Sequence, residues 1–310
     1  MSLAFVFPGQ GSQSVGMLAD LAASEALVEQ TFAEASEVLG YDLWQKVSAG
    51  PSDELNQTHI TQPAMLAAGI AVWRIWQQKG GATPTMMAGH SLGEYSALVA
   101  AGALAFADGI RLVAERGRLM QQAVPAGSGA MAAILGLDDA QVVAVCEQAA
   151  EGEVVSAVNF NAIGQVVIAG QTAAVDRAMA LAKEAGAKRA LPLPVSVPSH
   201  CALMQPAADE LGKLLAGITI NRPSIPVINN ADVARSEDPA AIRDALVRQL
   251  SSPVRWVETV QTMAADGVDT LVECGPGKVL MGLNKRIVKE MKAMAVLDPA
   301  SLDAALAELS

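Results

Sequence analysis

The residues most able to do chemistry lie in the pentapeptide Gly89-His90-Ser91-Leu92-Gly93, which has the pattern G-x-S-x-G. This pattern predicts a serine on a sharp turn between a strand and a helix, where its side chain stands clear of its neighbours. The first backbone N–H groups of such a helix have no partner inside the helix, so they can stabilise an oxyanion. The chemistry predicted is acyl transfer through a covalent ester of Ser91.

A serine hydroxyl needs a base to become a useful nucleophile, and the chain offers three histidines. His90 is adjacent to Ser91, and neighbours on a tight turn rarely face each other. His59 lies in a polar stretch with no other signal. His200 lies where the chain is predicted to return from an insertion, beside a cleft, and it is the favoured base.

The groups that would orient the base and bind the substrate are less well defined by the sequence. Asp209 and Asp232 are candidates for a triad acid by chain order, and a backbone carbonyl could serve instead, because the imidazole needs only an acceptor for its second ring N–H. Arg111, Arg116 and Arg118 lie on one predicted helix. One of them could hold a carboxylate if it turned into the cleft, and spacing does not say which.

A glycine-rich loop, Phe7-Pro8-Gly9-Gln10-Gly11-Ser12-Gln13, follows the first predicted strand and could offer further N–H groups to an oxyanion. It does not complete a phosphate-binding loop, because Met17 stands where lysine is required. It does not complete a dinucleotide fingerprint either, because Ser14 replaces the third glycine.

Short apolar runs alternate with helical stretches, which is typical of a mostly parallel sheet covered by helices. The predicted strands are Leu3–Phe7, Met86–Ala88, Val227–Asn229 and Thr270–Glu273, and the predicted helices are Leu27–Leu39, Pro63–Gln78, Glu94–Phe106, Asp108–Ala123, Ala241–Leu250 and Val254–Ala265. The sequence therefore predicts an α/β fold.

The middle of the chain has a different order, β-α-β-β-α-β, which predicts a ferredoxin-like unit. Its predicted strands are Ala130–Leu135, Val154–Phe160, Gln165–Ala169 and Lys188–Val195, and its predicted helices are Asp138–Ala150 and Thr172–Ala185, with Asp138 and Thr172 as N-caps. We predict a small domain over residues 125–195, inserted into a large one of residues 1–124 and 196–310. Ligand sites favour the cleft between such domains.

Composition narrows the function. The 310 residues are 52% hydrophobic, which is enough for two cores, and the formal net charge of −11 argues against binding to nucleic acid or to an anionic membrane. No signal peptide or membrane span is recognisable. Cys146, Cys201 and Cys274 lack metal-type spacing, so reduced thiols in a cytoplasmic protein are expected.

Four motifs together resemble one family, the malonyl-CoA:acyl-carrier-protein transacylases of bacterial type II fatty acid synthesis. They are residues 7–13 (FPGQGSQ), 89–95 (GHSLGEY), 194–200 (PVSVPSH) and 275–278 (GPGK), and the resemblance extends over essentially the whole chain. It implies a hydrolase-like α/β domain with a ferredoxin-like insertion. It also implies ping-pong transfer of a malonyl group from malonyl-CoA to the phosphopantetheine thiol of acyl carrier protein, by a monomer that needs no metal or other cofactor.

The resemblance also implies roles for individual residues. Ser91 would be the nucleophile, His200 the general base and later acid, and Arg116 the partner of the malonyl carboxylate. The other implied site residues are Gln10 and Leu92, whose backbone N–H groups would form the oxyanion hole, Gln249, whose backbone carbonyl would orient the histidine, and the cleft residue Gln62.

Two other functions use the same features. A serine esterase or thioesterase would pass the acyl group to water, and a non-catalytic module would bind acyl carrier protein without forming an acyl-serine. Carrier proteins are acidic, as this chain is, so docking would need a local basic patch. The candidates are Lys188-Arg189 and Lys285-Arg286 with Lys289 and Lys292, which are equally well explained as solvated helix faces.

Overall fold

A parallel and an antiparallel β-sheet, both covered by helices, make up the computed structural model, which describes residues 2–195 and 197–309. The strands are β1 (Leu3–Phe7), β2 (Met86–Gly89), β3 (Gly129–Leu135), β4 (Val155–Ala162), β5 (Gln165–Gln171), β6 (Arg189–Pro192), β7 (Val227–Ile228), β8 (Thr270–Cys274) and β9 (Lys292–Val296). The helices are α1 (Ala19–Ser24), α2 (Leu27–Leu39), α3 (Leu43–Ala49), α4 (Ser52–Leu55), α5 (Thr58–Gln78), α6 (Gly93–Ala100), α7 (Phe106–Gln122), α8 (Asp139–Ala150), α9 (Thr172–Glu184), α10 (Gln205–Ala216), α11 (Pro239–Gln249), α12 (Trp256–Ala265), α13 (Val279–Ile287) and α14 (Pro299–Leu309). The predicted α/β class with a mostly parallel sheet is confirmed.

The parallel sheet has the strand order β7-β2-β1-β8-β9. Its central strand β1 reads LAFVF and is buried along its whole length, as expected for a strand covered by helices on both faces. The register pairs Phe7 with Gly89, so β1 and β2 end side by side. The glycine-rich loop after β1 and the Ser91 turn after β2 therefore meet at the carboxyl edge of the sheet, where α/β folds bind ligands.

The antiparallel sheet has the order β4-β5-β3-β6, which is the ferredoxin-like arrangement of a β-α-β-β-α-β chain. Helices α8 and α9 cover one face and form a separate apolar core with it, around residues such as Ile134, Val142 and Ile168. On the opposite face, Met131 and Val158 belong to a second cluster that includes Cys201. The antiparallel sheet is thus placed directly against the segment that carries His200.

We propose that this unit is an inserted domain of residues 125–195, with residues 1–124 and 196–310 forming the large one. Its separate apolar core supports the proposal. Ser196, the first residue after the proposed second boundary, lies outside the described residues, as do the two terminal residues of the chain.

Several element boundaries differ from the predicted ones. The helix predicted over Glu94–Phe106 is found as α6 but ends at Ala100, and Phe106 already begins α7, because Gly102 has a φ of 73° that breaks the helical path between them. Pro63 lies inside α5 and not at its start. Asp138 is confirmed as an N-cap, with its side chain accepting from Gln141 N, whereas Thr172 is the first residue of α9 and follows Gln171 at the N-cap position.

The described residues contain no helix able to span a membrane, no metal-binding cluster and no disulfide bond. None of their helices is long and apolar enough to cross a membrane. No group of three or more His, Cys, Asp or Glu side chains within these ranges is arranged to hold a metal ion. Cys146, Cys201 and Cys274 are each buried and free of a disulfide bond.

Glu273, near the end of β8, is a buried carboxyl group at the start of a helix. Its Oε2 accepts a hydrogen bond from Met281 N in the first turn of α13, at 2.7 Å. Its Oε1 is buried and has no hydrogen-bond partner within the described residues. Burial raises the pKa of this carboxyl to about 7, so the folded protein holds a proton there at pH values where the unfolded chain has released it.

The Glu273→Gln variant is expected to change how stability depends on pH. The wild-type carboxyl stabilises the folded state less and less as pH rises from its ordinary pKa near 4.5 to about 7. Glutamine does not titrate, so it makes no such pH-dependent contribution. The free energy of unfolding of the variant should therefore rise relative to wild type across this window, by on the order of 3 kcal/mol, and the difference should stay constant above it. Denaturant titrations at several pH values measure the difference, and one that is independent of pH would contradict the assignment.

Candidate active site

Ser91 stands on a tight turn between β2 and α6. Its φ is 52°, a left-handed conformation that costs a non-glycine residue about 1–3 kcal/mol and needs support from its surroundings. Asn230 supplies that support: its Oδ1 accepts from Ser91 N at 2.6 Å, and its Nδ2 donates to Gly89 O at 2.7 Å. One side chain therefore bridges the end of the strand and the strained residue.

The two glycines of the motif are required because backbones pass very closely here. A Cβ on Gly89 would lie 1.8 Å from the carbonyl carbon of Gly93, and a Cβ on Gly93 would lie 2.0 Å from Phe7 O. These are distances that real Cβ atoms do not reach. The pattern G-x-S-x-G is thus explained by the contact between β1, β2 and the first residue of α6.

Ser91 and His200 are hydrogen-bonded to each other. Ser91 Oγ lies 2.7 Å from His200 Nε2, and His200 Nδ1 lies 2.8 Å from the backbone oxygen of Gln249. Because a carbonyl only accepts, Nδ1 carries the proton and Nε2 is left to accept from the serine hydroxyl. His200 N also donates to Leu250 O at 3.0 Å, so the end of α11 holds both the backbone and the ring of the histidine.

Neither aspartate that chain order suggested orients the histidine. Asp209 accepts a hydrogen bond from Gln205 in α10, and Asp232 pairs with Arg248. The acceptor at His200 Nδ1 is instead the carbonyl of Gln249, which the family resemblance implied.

His200 is held in its neutral form. Burial and the nearby Arg116 cation together lower the pKa of His200 to about 3. The imidazole is therefore free to accept a proton from Ser91 throughout the neutral pH range.

Arg116 is the arginine of α7 that points into the site. Its side chain is only 1% exposed. The guanidinium donates from Nη1 to Gln62 Oε1 at 2.8 Å, and from Nη2 to Gln249 Oε1 at 2.9 Å and Ser91 Oγ at 3.2 Å. Its Nε is buried without a partner among the described residues. The site thus holds a cation with unused hydrogen-bonding capacity beside the serine.

The other two arginines of α7 face solvent. Arg111 pairs with Asp108 and Arg118 with Glu115, one helical turn away in each case. Burial thus distinguishes Arg116 from Arg111 and Arg118 as the arginine of the site, whereas their spacing in the sequence does not.

A cavity between the two sheets exposes the reactive atoms. Gln10 and Leu92 line it together with Ser91. The backbone N–H groups of Gln10 and Leu92 donate to no other group in the described part of the chain, so both are available to an oxyanion. Apolar side chains also line the cavity, and they are Met120, Met131, Leu193, Val195 and Val197.

Two contacts of the site were not predicted from the sequence. Asn230 follows β7 at the carboxyl edge of the parallel sheet, a position at which a polar residue is a usable signal. His90 turns away from the serine: its Nε2 lies 2.7 Å from Oδ1 of Asn161 on β4, and its ring packs against Trp256. His90 therefore connects the serine turn to the antiparallel sheet.

Comparison with known proteins agrees with this geometry. Residues 4–302 match the family model of the acyl transferase domain, and the chain belongs to that family. A malonyl CoA-acyl carrier protein transacylase from Salmonella typhimurium is 64% identical over 305 residues, which are 98% of this chain and 99% of that protein. The chain therefore belongs to the malonyl CoA-acyl carrier protein transacylases, as the motifs predicted.

Solved structures give the same result. An acyl carrier protein S-malonyltransferase from Vibrio cholerae is 66% identical, with a TM-score of 0.96, and the match covers 98% of this chain and 99% of that one. A malonyl-transacylase in complex with its type II PKS acyl-carrier protein is 60% identical, with a TM-score of 0.99, over 99% of this chain and 100% of that one. The predicted combination of sheets is thus that of experimentally determined relatives.

The Gly93→Ala variant is expected to disrupt the serine turn. The new methyl group would overlap Phe7 O, so either β1 or α6 must move, at a cost of about 2–3 kcal/mol in the free energy of unfolding. The matched control is Gly282→Ala in α13, where no described atom other than those of the adjacent residues and the helix's own backbone lies within 4 Å of the added carbon. That change should be neutral or stabilise by up to about 1 kcal/mol. Urea titrations of both variants measure the difference, and equal stabilities would contradict the close passage.

Proposed function

We propose that this protein transfers the malonyl group of malonyl-CoA to the phosphopantetheine thiol of acyl carrier protein, through a malonyl ester of Ser91, and so supplies fatty acid synthesis. The observation that carries the proposal is the buried guanidinium of Arg116, 3.2 Å from Ser91 Oγ. A cation beside the nucleophile suits an acyl group that ends in a second carboxylate. The names of the relatives, which specify malonyl CoA and acyl carrier protein, support the same substrates.

In the first half-reaction, the malonyl carboxylate pairs with Arg116 and the thioester carbonyl lies over Ser91. His200 Nε2 takes the hydroxyl proton as Ser91 Oγ attacks the carbonyl carbon. The oxyanion accepts hydrogen bonds from the N–H groups of Gln10 and Leu92, each worth on the order of 3 kcal/mol in comparable sites. The tetrahedral intermediate collapses by breaking its C–S bond, and His200 returns the proton to the CoA thiolate.

In the second half-reaction, the phosphopantetheine thiol of the carrier enters the same cavity. His200 takes the thiol proton, the sulfur attacks the ester carbonyl and the C–O bond to Ser91 breaks. The proton then passes from His200 to Ser91 Oγ, which regenerates the free enzyme. Gln249 contributes throughout by accepting from His200 Nδ1, which keeps the ring in the required tautomer.

The proposal also covers the surface on which the carrier protein docks, the oligomeric state and the location in the cell. Lys188 and Arg286 line one surface groove together with Asp138, so the groove offers an acidic carrier two cationic side chains against one carboxylate. We propose a monomer, because the groups that meet at Ser91 all come from a single chain. We propose the cytoplasm, because three buried thiols without a disulfide suit a reducing compartment.

Intact-mass spectrometry with malonyl-CoA tests the function directly. We expect wild-type protein to gain the mass of one malonyl group and to lose it when carrier protein bearing phosphopantetheine is added, whereas Ser91→Ala should gain nothing. Release of free malonate without transfer to the carrier would instead identify a hydrolase. Carrier binding without any mass increase would identify a non-catalytic module.

The Arg116→Ala variant is expected to change the choice of acyl group. Without the guanidinium, the malonyl carboxylate enters a buried site unpaired, so kcat/KM for malonyl-CoA should fall by about 100-fold or more. Transfer from acetyl-CoA, which lacks that carboxylate, should be unchanged or improved. The control is Arg118→Ala, which removes an exposed arginine from the same helix and should alter neither reaction. A malonyl preference that survives in Arg116→Ala would contradict the role of Arg116.

A further inference from the structure

Glu94 is a buried carboxyl group three residues after the candidate nucleophile, in the first turn of α6. Its side chain is 2% exposed. Its Oε2 accepts two hydrogen bonds, from Gln249 Nε2 at 2.8 Å and from Asn230 N at 2.9 Å. Nothing in the reaction sequence above uses this group.

One of these hydrogen bonds leads to the serine turn. Glu94 fixes the backbone of Asn230, and the side chain of Asn230 in turn holds Ser91 N and Gly89 O. The strained φ of Ser91 is thus supported by a residue whose own position is set by Glu94.

The other hydrogen bond leads to Gln249, which contacts three site residues. Its Nε2 donates to Ser91 O at 3.0 Å as well as to Glu94, its Oε1 accepts from Arg116 Nη2, and its backbone oxygen accepts from His200. An amide can be placed in two orientations. Here a carboxylate, which only accepts, faces one end and a guanidinium, which only donates, faces the other, so a single orientation is allowed.

The burial of Glu94 and the charged groups around it determine when its carboxyl group is ionised. Burial raises the pKa of Glu94 to about 7, while the hydrogen bonds from Gln249 and Asn230 and the charge of Arg116 oppose that rise. The other titratable groups near the network are His200, Tyr95 and Asp232. When Glu94 is ionised, it is a counter-charge for Arg116 and for the imidazolium that forms during each half-reaction.

We propose that Glu94 is a positioning residue for acyl transfer, whose carboxylate acts through Asn230 and Gln249 to hold the Ser91 turn, the carbonyl that orients His200 and the Arg116 guanidinium in one arrangement. The proposal rests on the proposed function for its substrate. Glu94 touches no reacting atom, so removing it should slow the reaction of Ser91 and weaken selection by Arg116 together.

The test measures two reactions of three variants. An alkyl fluorophosphonate reports the Ser91–His200 pair alone, because Ser91 Oγ forms a bond to phosphorus, fluoride leaves and His200 takes the proton. The ratio of malonyl to acetyl transfer reports Arg116. The variants are Glu94→Ala, which removes the acceptor, and Glu94→Gln, whose amide oxygen can replace Oε2. The control is Glu273→Gln, which changes a buried carboxyl group that is hydrogen-bonded to Met281 of α13.

We expect phosphonylation of Ser91 to be about 100-fold slower in Glu94→Ala than in wild type, because a small displacement of reacting groups has an effect of this size. The malonyl-to-acetyl ratio should fall at least tenfold in the same variant. Glu94→Gln, which keeps an acceptor oxygen but cannot ionise, should react at the rate that wild type shows below a pH of about 7. Glu273→Gln should behave as wild type in both assays. Circular dichroism establishes whether Glu94→Ala is folded. If the folded variant is phosphonylated at the wild-type rate and keeps the wild-type malonyl-to-acetyl ratio, the proposal is overturned.

If Glu94→Ala does not fold, the pH dependence of the phosphonylation rate tests the proposal instead. The wild-type rate should rise through a pH of about 7 as Glu94 ionises, and this rise should be absent in Glu94→Gln. Identical pH profiles would overturn the proposal. If wild-type protein transfers no malonyl group but its phosphonylation still depends on Glu94, the proposed function fails and the positioning role stands.

Discussion

A buried positive charge beside a serine is the constraint on which the rest of the site depends. A guanidinium in an apolar interior is tolerated only if other groups take its hydrogen bonds, because an unpaired buried charge costs several kcal/mol. Gln62, Gln249 and Ser91 take these bonds from Arg116. Burial and the same charge lower the pKa of His200, so the base is neutral at the start of the reaction without an adjacent anion. A neutral carbonyl is an adequate partner for its ring in this environment.

The close passage of β1, β2 and α6 explains why the serine and the two loops that flank it can meet. The parallel register brings the ends of β1 and β2 together, and two glycines let the first turn of α6 approach β1 without a side chain in between. The backbone N–H groups of Gln10 and Leu92 then face one cavity from two different loops. The antiparallel sheet closes this cavity from the other side through Met131 and Leu193.

The sequence predicted those parts of the fold and site that have local signals. Ser91 is marked by its glycines, His200 by its place after the predicted insertion, and the ferredoxin-like unit by its element order. The end predicted for the helix over Glu94–Phe106 was wrong, because the helix propensity of an alanine-rich stretch was given more weight than the effect of Gly102. The residues that link the site have no local signal, since Glu94 and Gln249 lie 155 residues apart in the chain and Asn230 and Ser91 lie 139 apart. Only tertiary structure shows such contacts, and the choice of Arg116 among three arginines needed either the structure or the family resemblance.

The hydrogen bond between His90 and Asn161 joins the serine turn to a strand of the other sheet. Ser91, His200 and the Gln249 carbonyl that orients it belong to the segments around the parallel sheet, whereas Met131 and Leu193 of the apolar lining belong to the antiparallel unit. The reacting groups and part of the apolar lining of the pocket are therefore encoded in different stretches of the gene. Substitutions in the smaller unit can change that part of the lining while the chemistry is inherited intact, as long as contacts such as this hydrogen bond and the backbone pairing of β4 with Val254 keep the two surfaces aligned.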